Sequence, residues 1–332
     1  MNSLERTLAF LNHKEVDRTP FQPILMRWAA RYCKLDYRDF CLDPKAHCEA
    51  NIKCAEDFGS DWINVMSDPY VEAEAFGLKL DYPPDNLPVE TVPLLNTSED
   101  AASLKKPEID HHQRLQDRIA EIEYYKRNVG ETILIAGWVE GPMAEYSDLR
   151  SLAGACMDFF DNPSQMEEAL EIITDFAVEF AAEQVRAGAH CIGIGDAACS
   201  QIGPQLYSSY IWEREKRIIE EIHSMGALVK LHICGDTTPI LEKMISTGAD
   251  IVDIDHLVQN MGNFTEFLAP GQVFCGKSDP VAIVQNGSEE DILNSVIECR
   301  RDTGERCIVS AGCEITPGTS VENMRILSKA AF

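Results

Sequence analysis

Eight short runs rich in apolar and β-branched residues recur along the chain, at 19–25, 62–66, 132–138, 190–195, 227–233, 250–254, 272–275 and 306–310. Turn residues and a longer amphipathic segment follow most of them. Strands that are apolar throughout, not alternately, belong to parallel sheets covered on both faces, and regular strand–helix alternation builds such sheets. The pattern predicts an α/β fold, a single (β/α)8 barrel of the TIM type spanning 1–332, for which 332 residues and 45% hydrophobic content are sufficient. Residues 1–60 read as an N-terminal helical extension. Residues 67–115 interrupt the alternation with prolines at 69, 83, 84, 88, 93 and 107, and read as an elaborated loop or small hairpin. Helix signals include a start after Asn162-Pro163 running to Gly188, an N-cap at Thr238 before Pro239, and a capping box from Thr319 to Glu322.

In a barrel of this kind chemistry gathers at the C-terminal ends of the strands. Polar residues stand there in this sequence: Arg27 and Arg31 after the first run, Glu140 after the third, Asp196 after the fourth, and His232 and Cys234 after the fifth. Asp253, Asp255 and His256 follow the sixth run, Lys277 and Asp279 the seventh, and Cys313 and Glu314 the eighth. His232 and Cys234 lie two residues apart at a strand end, so alternation points both to one face. Two thiols and one imidazole suit zinc, with Cys313 as a third ligand from another strand and a fourth position open to a reactant. The same residues also fit two buried apolar cysteines and a satisfied core histidine.

The neighbours carry alternatives of their own. Glu140 sits in a glycine-flanked turn and is a substrate contact, a fourth zinc ligand or a turn residue. Asp196, Asp253 and Asp255 suit acid–base work or orientation of His232. Arg27 and Arg31 are placed to fork a substrate carboxylate, or to form ion pairs on a helix. Asp196, Asp255, Glu140, Arg27 and Arg31 are therefore the candidate substrate-binding residues.

With 29 basic against 55 acidic residues, the formal charge of −26 disfavours nucleic acid and anionic membrane surfaces as partners. Twelve scattered cysteines in a long chain, with no leader pattern in residues 1–6, point to a reduced cytoplasmic protein and not to a disulfide framework. No apolar run reaches membrane-spanning length.

Five segments together resemble a known family: DRTP at 17–20, GWVEGP at 137–142, LHICGDT at 231–237, CGKSDP at 275–280 and GCEITPGTSVEN at 312–323. The chain resembles the uroporphyrinogen decarboxylase superfamily, and within it the corrinoid-dependent methyltransferases typified by the methylcobamide:coenzyme M enzymes. That resemblance implies one catalytic zinc on His232, Cys234 and Cys313, and methyl transfer between a corrinoid and a small thiol or methylated substrate. The sequence contains no D-x-H-x-x-G cobalamin motif, so the corrinoid is expected on a partner protein. The alternative within the superfamily is the decarboxylase, whose carboxylate-gripping arginines resemble MRWAARY at 26–32. Decarboxylases of this family work without a metal, lack the H-x-C pair and carry histidine where this chain has Cys313.

Overall fold

Continuous apolar runs become strands buried on both faces. The computed structural model describes residues 1–332 and contains nine strands: β1 Trp62–Asn64, β2 Lys79–Asp81, β3 Val89–Val92, β4 Leu134–Glu140, β5 Cys191–Gly195, β6 Leu228–Ile233, β7 Ile251–Ile254, β8 Val273–Ser278 and β9 Cys307–Ala311. Seven of them form one parallel sheet in the order β1-β4-β5-β6-β7-β8-β9. All residues of β4, β5, β7 and β9 are buried, because helices cover the outer face and side chains fill the inner one. The sheet curls, and the fold is α/β and TIM-barrel-like.

The first run, 19–25, does not form the expected strand. It contributes one parallel bridge, Phe21 to Val309. Pro20 and Pro23 flank that bridge and have no amide hydrogen to donate, so the ladder cannot lengthen. The segment nevertheless lies between the two outer strands. The Gln22 amide donates to the Val309 carbonyl and the Val309 amide to the Pro20 carbonyl, both at 2.9 Å. On its other side the Asp61 amide donates to the Phe21 carbonyl at 2.7 Å, and the Asp61 carboxylate accepts the Phe21 amide at 2.7 Å.

Asp61 is fully buried, and its charge is matched by Arg6 at 2.5 Å and Arg18 at 2.6 Å. Arg6 also pairs with Asp17 at 2.7 Å. The DRTP segment thus supplies part of the seam joining the first and last strands. Residues 1–60 hold four helices, Ser3–Leu11, Met26–Tyr32, Tyr37–Leu42 and Pro44–Phe58, in addition to this bridge. Leu11 packs with Ile251, Val273, Cys275 and Ile308 beneath β7, β8 and β9.

Residues 67–112 contain the helix Val71–Phe76, the antiparallel pair β2–β3 and two 3-10 turns. The long helix Pro163–Ala187 ends at Gly188, as its signals predict. Two other helix starts differ. Ser320, not Thr319, caps the last helix by accepting from the Asn323 amide at 3.0 Å, and Thr238 precedes a turn whose helix begins only at Leu241. No helix is long and apolar enough to cross a membrane.

Removing the Asp61 carboxylate leaves Arg18 without a carboxylate partner at a buried seam and Arg6 with Asp17 alone. Asp61→Ala is expected to destabilise the fold by about 3–5 kcal/mol in a denaturant titration, and a loss below about 1 kcal/mol, the scale of an exposed pair, would contradict this role.

Candidate metal centre

Two strand ends that are distant in the sheet meet because the sheet curls. His232 is the penultimate residue of β6, and Cys234 follows the strand at a turn where Gly235 takes φ 85°, a conformation disfavoured for other residues. The Gly235 amide donates to Asp255 Oδ2 at 2.9 Å, which fixes that turn. Beyond β9, Gly312 passes so close to residues 255 and 256 that an added Cβ would lie 2.5 Å from the His256 nitrogen. This close approach carries Cys313 over to Cys234.

His232 Nε2 lies 2.9 Å from Cys234 Sγ, and Cys234 Sγ lies 3.3 Å from Cys313 Sγ. All three donor atoms fall within 4.8 Å of one another. The other ring nitrogen of His232 meets Asp253, with Oδ2 3.1 Å from Nδ1. Asp253 also faces Lys230 Nζ at 3.2 Å, and Lys230 lies 4.0 Å from the centre of the Trp62 ring. Lys230 and Asp253 are both buried, so each is held charged by the other.

These contacts polarise the donor set. Burial opposes the imidazolium, but the Asp253 charge, aided by Cys313, outweighs it and pushes His232 up to about 10. The bond from Cys234 lowers the Cys313 thiol well below its ordinary value against burial, with His232 contributing. Cys234 is correspondingly raised, first by its bond to Cys313 and then by burial. Two sulfurs and a ring nitrogen oriented by a buried carboxylate form a donor set that fits zinc, which would displace their protons on binding, with His232 Nε2 on the side of the sulfurs.

The remaining candidates separate into groups. Glu140, the last residue of β4, lines a cavity of about 430 Å³ together with Cys234. Its Oε1 accepts from Trp138 Nε1 at 2.9 Å, and burial followed by repulsion from Glu72 raises its pKa well above the ordinary range. Asp255 supports the Cys234 turn and contacts the His256 imidazole. Arg27 lies beside the site but pairs with Glu314 at 2.9 Å, while exposed Arg31 donates to the Pro317 carbonyl at 2.8 Å. Both arginines hold the segment that follows Cys313.

Asp196 does not reach the cavity wall. It is fully buried and accepts the Ala144 amide at 2.7 Å and the Met143 amide at 3.4 Å, capping the helix Pro142–Arg150. Gly141 permits this, since a Cβ there would sit 2.4 Å from the Asp196 side chain. Burial raises Asp196 to about 6 against those amide bonds, and it groups with Cys199 and Glu215 in a second buried cluster. Three residues not singled out in the sequence stand out here: Lys230 inside β6, and Glu145 and Asp148 on the helix after β4. Glu145 and Asp148 are charged positions three apart in the turn of helix that follows a strand end, a signal available in the sequence.

Residues 2–331 match the family described as uroporphyrinogen decarboxylase (URO-D). The chain belongs to the uroporphyrinogen decarboxylase family. Its relatives in that family include a methylated-thiol–coenzyme M methyltransferase of Methanosarcina mazei, 25% identical over 300 residues covering 86% of this chain and 78% of the relative. A methylcobamide:CoM methyltransferase MtbA of Methanosarcina acetivorans is 27% identical, covering 87% and 86%. A uroporphyrinogen decarboxylase of Koribacter versatilis is 24% identical, covering 95% and 92%. Both activities thus occur among relatives at similar distance. Among solved structures, a methyltransferase from Methanosarcina mazei superposes with a TM-score of 0.89 at 21% identity, covering 100% of this chain and 98% of the other, which supports the fold.

If Asp253 orients His232 for a metal, its replacement weakens binding without removing a ligand. Asp253→Asn is expected to reduce zinc affinity by about 10–100-fold in a chelator competition. Unchanged affinity would show that His232 is held by other means.

Proposed function

We propose that this protein is a zinc-dependent methyltransferase that moves a methyl group between a corrinoid carried on a partner protein and a small thiol or methylated substrate. The observation that carries this reading is the convergence of His232 Nε2, Cys234 Sγ and Cys313 Sγ beside a cavity that Cys234 itself lines. Zinc bound by these three residues would supply Lewis acidity, keeping a thiol substrate deprotonated or polarising a methylated one.

The chain's own groups perform the rest. Asp253 keeps the imidazole oriented and its charge compensated. Gly235 and Gly312 hold the two cysteines at one rim, and the cavity receives the small substrate. In the thiol direction a methyl corrinoid would supply the methyl group, and the electron pair of its carbon–cobalt bond would remain on cobalt as Co(I). The sulfur lone pair forms the new carbon–sulfur bond, and the thiol proton passes to solvent.

The decarboxylase alternative requires cations free to grip several carboxylates. Arg27 is occupied by Glu314 and Arg31 by a backbone carbonyl, which favours methyl transfer over that reading. We read the zinc as catalytic and not as a staple, because the fold has a large hydrophobic core of its own.

Two outcomes test this. Mixing the zinc-loaded protein with methylcobalamin and candidate thiols, or Co(I) cobalamin with methylated compounds, is expected to interconvert the methyl-Co(III) and Co(I) spectra, and Cys313→Ala to abolish the conversion. Porphyrinogen decarboxylation by metal-free protein with no corrinoid turnover would overturn the proposal. Chelation is expected to stop turnover while moving the melting temperature by no more than about 2–4 °C, equivalent to about 1 kcal/mol; global unfolding on zinc removal would instead indicate a structural metal.

A further inference from the structure

The cavity beside Cys234 is one-sided in charge. Its ionisable lining groups other than that thiol are Glu140 and Asp148, and no lysine, arginine or histidine lines it. Glu140 is only 5% exposed; Oε1 accepts from Trp138, whereas Oε2 receives no donor from the protein. Behind it Glu72 takes the Glu140 amide at 2.9 Å, and both carboxylate oxygens of Glu145 are buried without a partner. The nearby cations are spent elsewhere. Lys230 is sealed against Asp253, while Arg27 and Arg31 line a separate groove with Lys34.

Glu140 and Glu145 are buried and Asp148 half-buried, none of the three has an ion-pair partner, and burial followed by repulsion from Glu72 pushes all three upward. A ligand carrying an anionic group would have to enter beside two carboxyls with only the neutral donors of Ser147, Ser200 and Gln201, and no cationic side chain, to meet it. A protonated amine would instead give charge-assisted hydrogen bonds to Glu140 Oε2 and Asp148. No aromatic side chain lines the cavity, so it offers no cage for a quaternary ammonium, and N–H donors are the better match.

Resting on the methyltransferase reading above, we propose that the small substrate of this centre is a protonated aliphatic amine, its ammonium held by Glu140 and Asp148 and its sulfur or methylated group directed to Cys234 and the metal. This distinguishes the chain from enzymes acting on coenzyme M, whose sulfonate is an anion.

Three thiols of equal chain length test the charge directly: 2-aminoethanethiol, 2-mercaptoethanol and 2-mercaptoethanesulfonate, each methylated from methylcobalamin by the zinc-loaded full chain. The aminothiol is expected to exceed the sulfonate at least about tenfold in kcat/KM, and Glu140→Gln and Asp148→Asn are each expected to shrink that ratio about tenfold. Comparing one ratio across variants cancels the thiols' differing intrinsic reactivity. Calorimetry on metal-free protein supplies a readout independent of turnover: ethanolamine is expected to bind, ethylene glycol and isethionate not to bind, and both variants to weaken ethanolamine about tenfold. Methylation that prefers the sulfonate, or a ratio unchanged in both variants, overturns the amine assignment and leaves methyl transfer standing. Ethanolamine binding with no methylation of any thiol supports the amine assignment and counts against the methyltransferase reading. Isethionate binding with ethanolamine excluded overturns the assignment whatever the turnover.

Discussion

A parallel sheet can present the ends of β6 and β9, its fourth and seventh strands, to one another only if it curls, and here a buried carboxylate helps to hold the curl closed. Asp61 accepts the Phe21 amide on one side and binds Arg6 and Arg18 on the other, while Phe21 pairs with Val309 across the seam. The segment has no freedom to do this with a longer ladder, because its prolines remove two donors. Backbone bonds to β9 and a side-chain charge network therefore share the closure. Everything at the rim follows from it, including the approach of Gly312 to residues 255 and 256 that carries Cys313 to Cys234.

At the rim, one carboxylate again sets the chemistry. Asp253 is shared between Lys230 and His232, so the strand pair β6–β7 contains an ion network where an ordinary barrel interior would hold only apolar layers. Removing such a charge is costly, and its presence is better explained by what it does to the imidazole than by stability. The imidazole keeps one nitrogen on Asp253 and turns the other to the thiols. Both ring nitrogens of His232 thus meet side chains, a carboxylate on one side and a thiol on the other.

Much of this was legible in the sequence because the signals were local. Seven of the eight apolar runs became strands of the parallel sheet within a few residues of their limits, since an uninterrupted β-branched run has few alternatives. The H-x-C spacing at a strand end fixed the side of two donors. The exceptions were decided by tertiary contacts. The 19–25 run failed through its prolines, and the capping box at Thr319 moved by one residue because Ser320 met the Asn323 amide. Asp196 looked like a strand-end functional group, yet the closeness of Gly141 made it a helix cap. Lys230 was hidden inside an apolar strand, where its pairing with Asp253, the Trp62 ring and the Cys275 sulfur make burial tolerable. The acidity of the cavity was half legible: Glu140 stood out at a strand end, whereas Asp148 joins it from the helix that follows and was passed over.

The central claim is that one nitrogen from His232 and two sulfurs from Cys234 and Cys313 hold a single metal ion. X-ray absorption at the zinc edge of the metal-loaded protein reads that donor set directly. The account predicts one zinc per chain with two sulfur scatterers at about 2.3 Å and nitrogen or oxygen scatterers near 2.0–2.1 Å, and loss of one sulfur in Cys313→Ala. A first shell of oxygen and nitrogen alone, or a two-sulfur shell unchanged by that substitution, would contradict it.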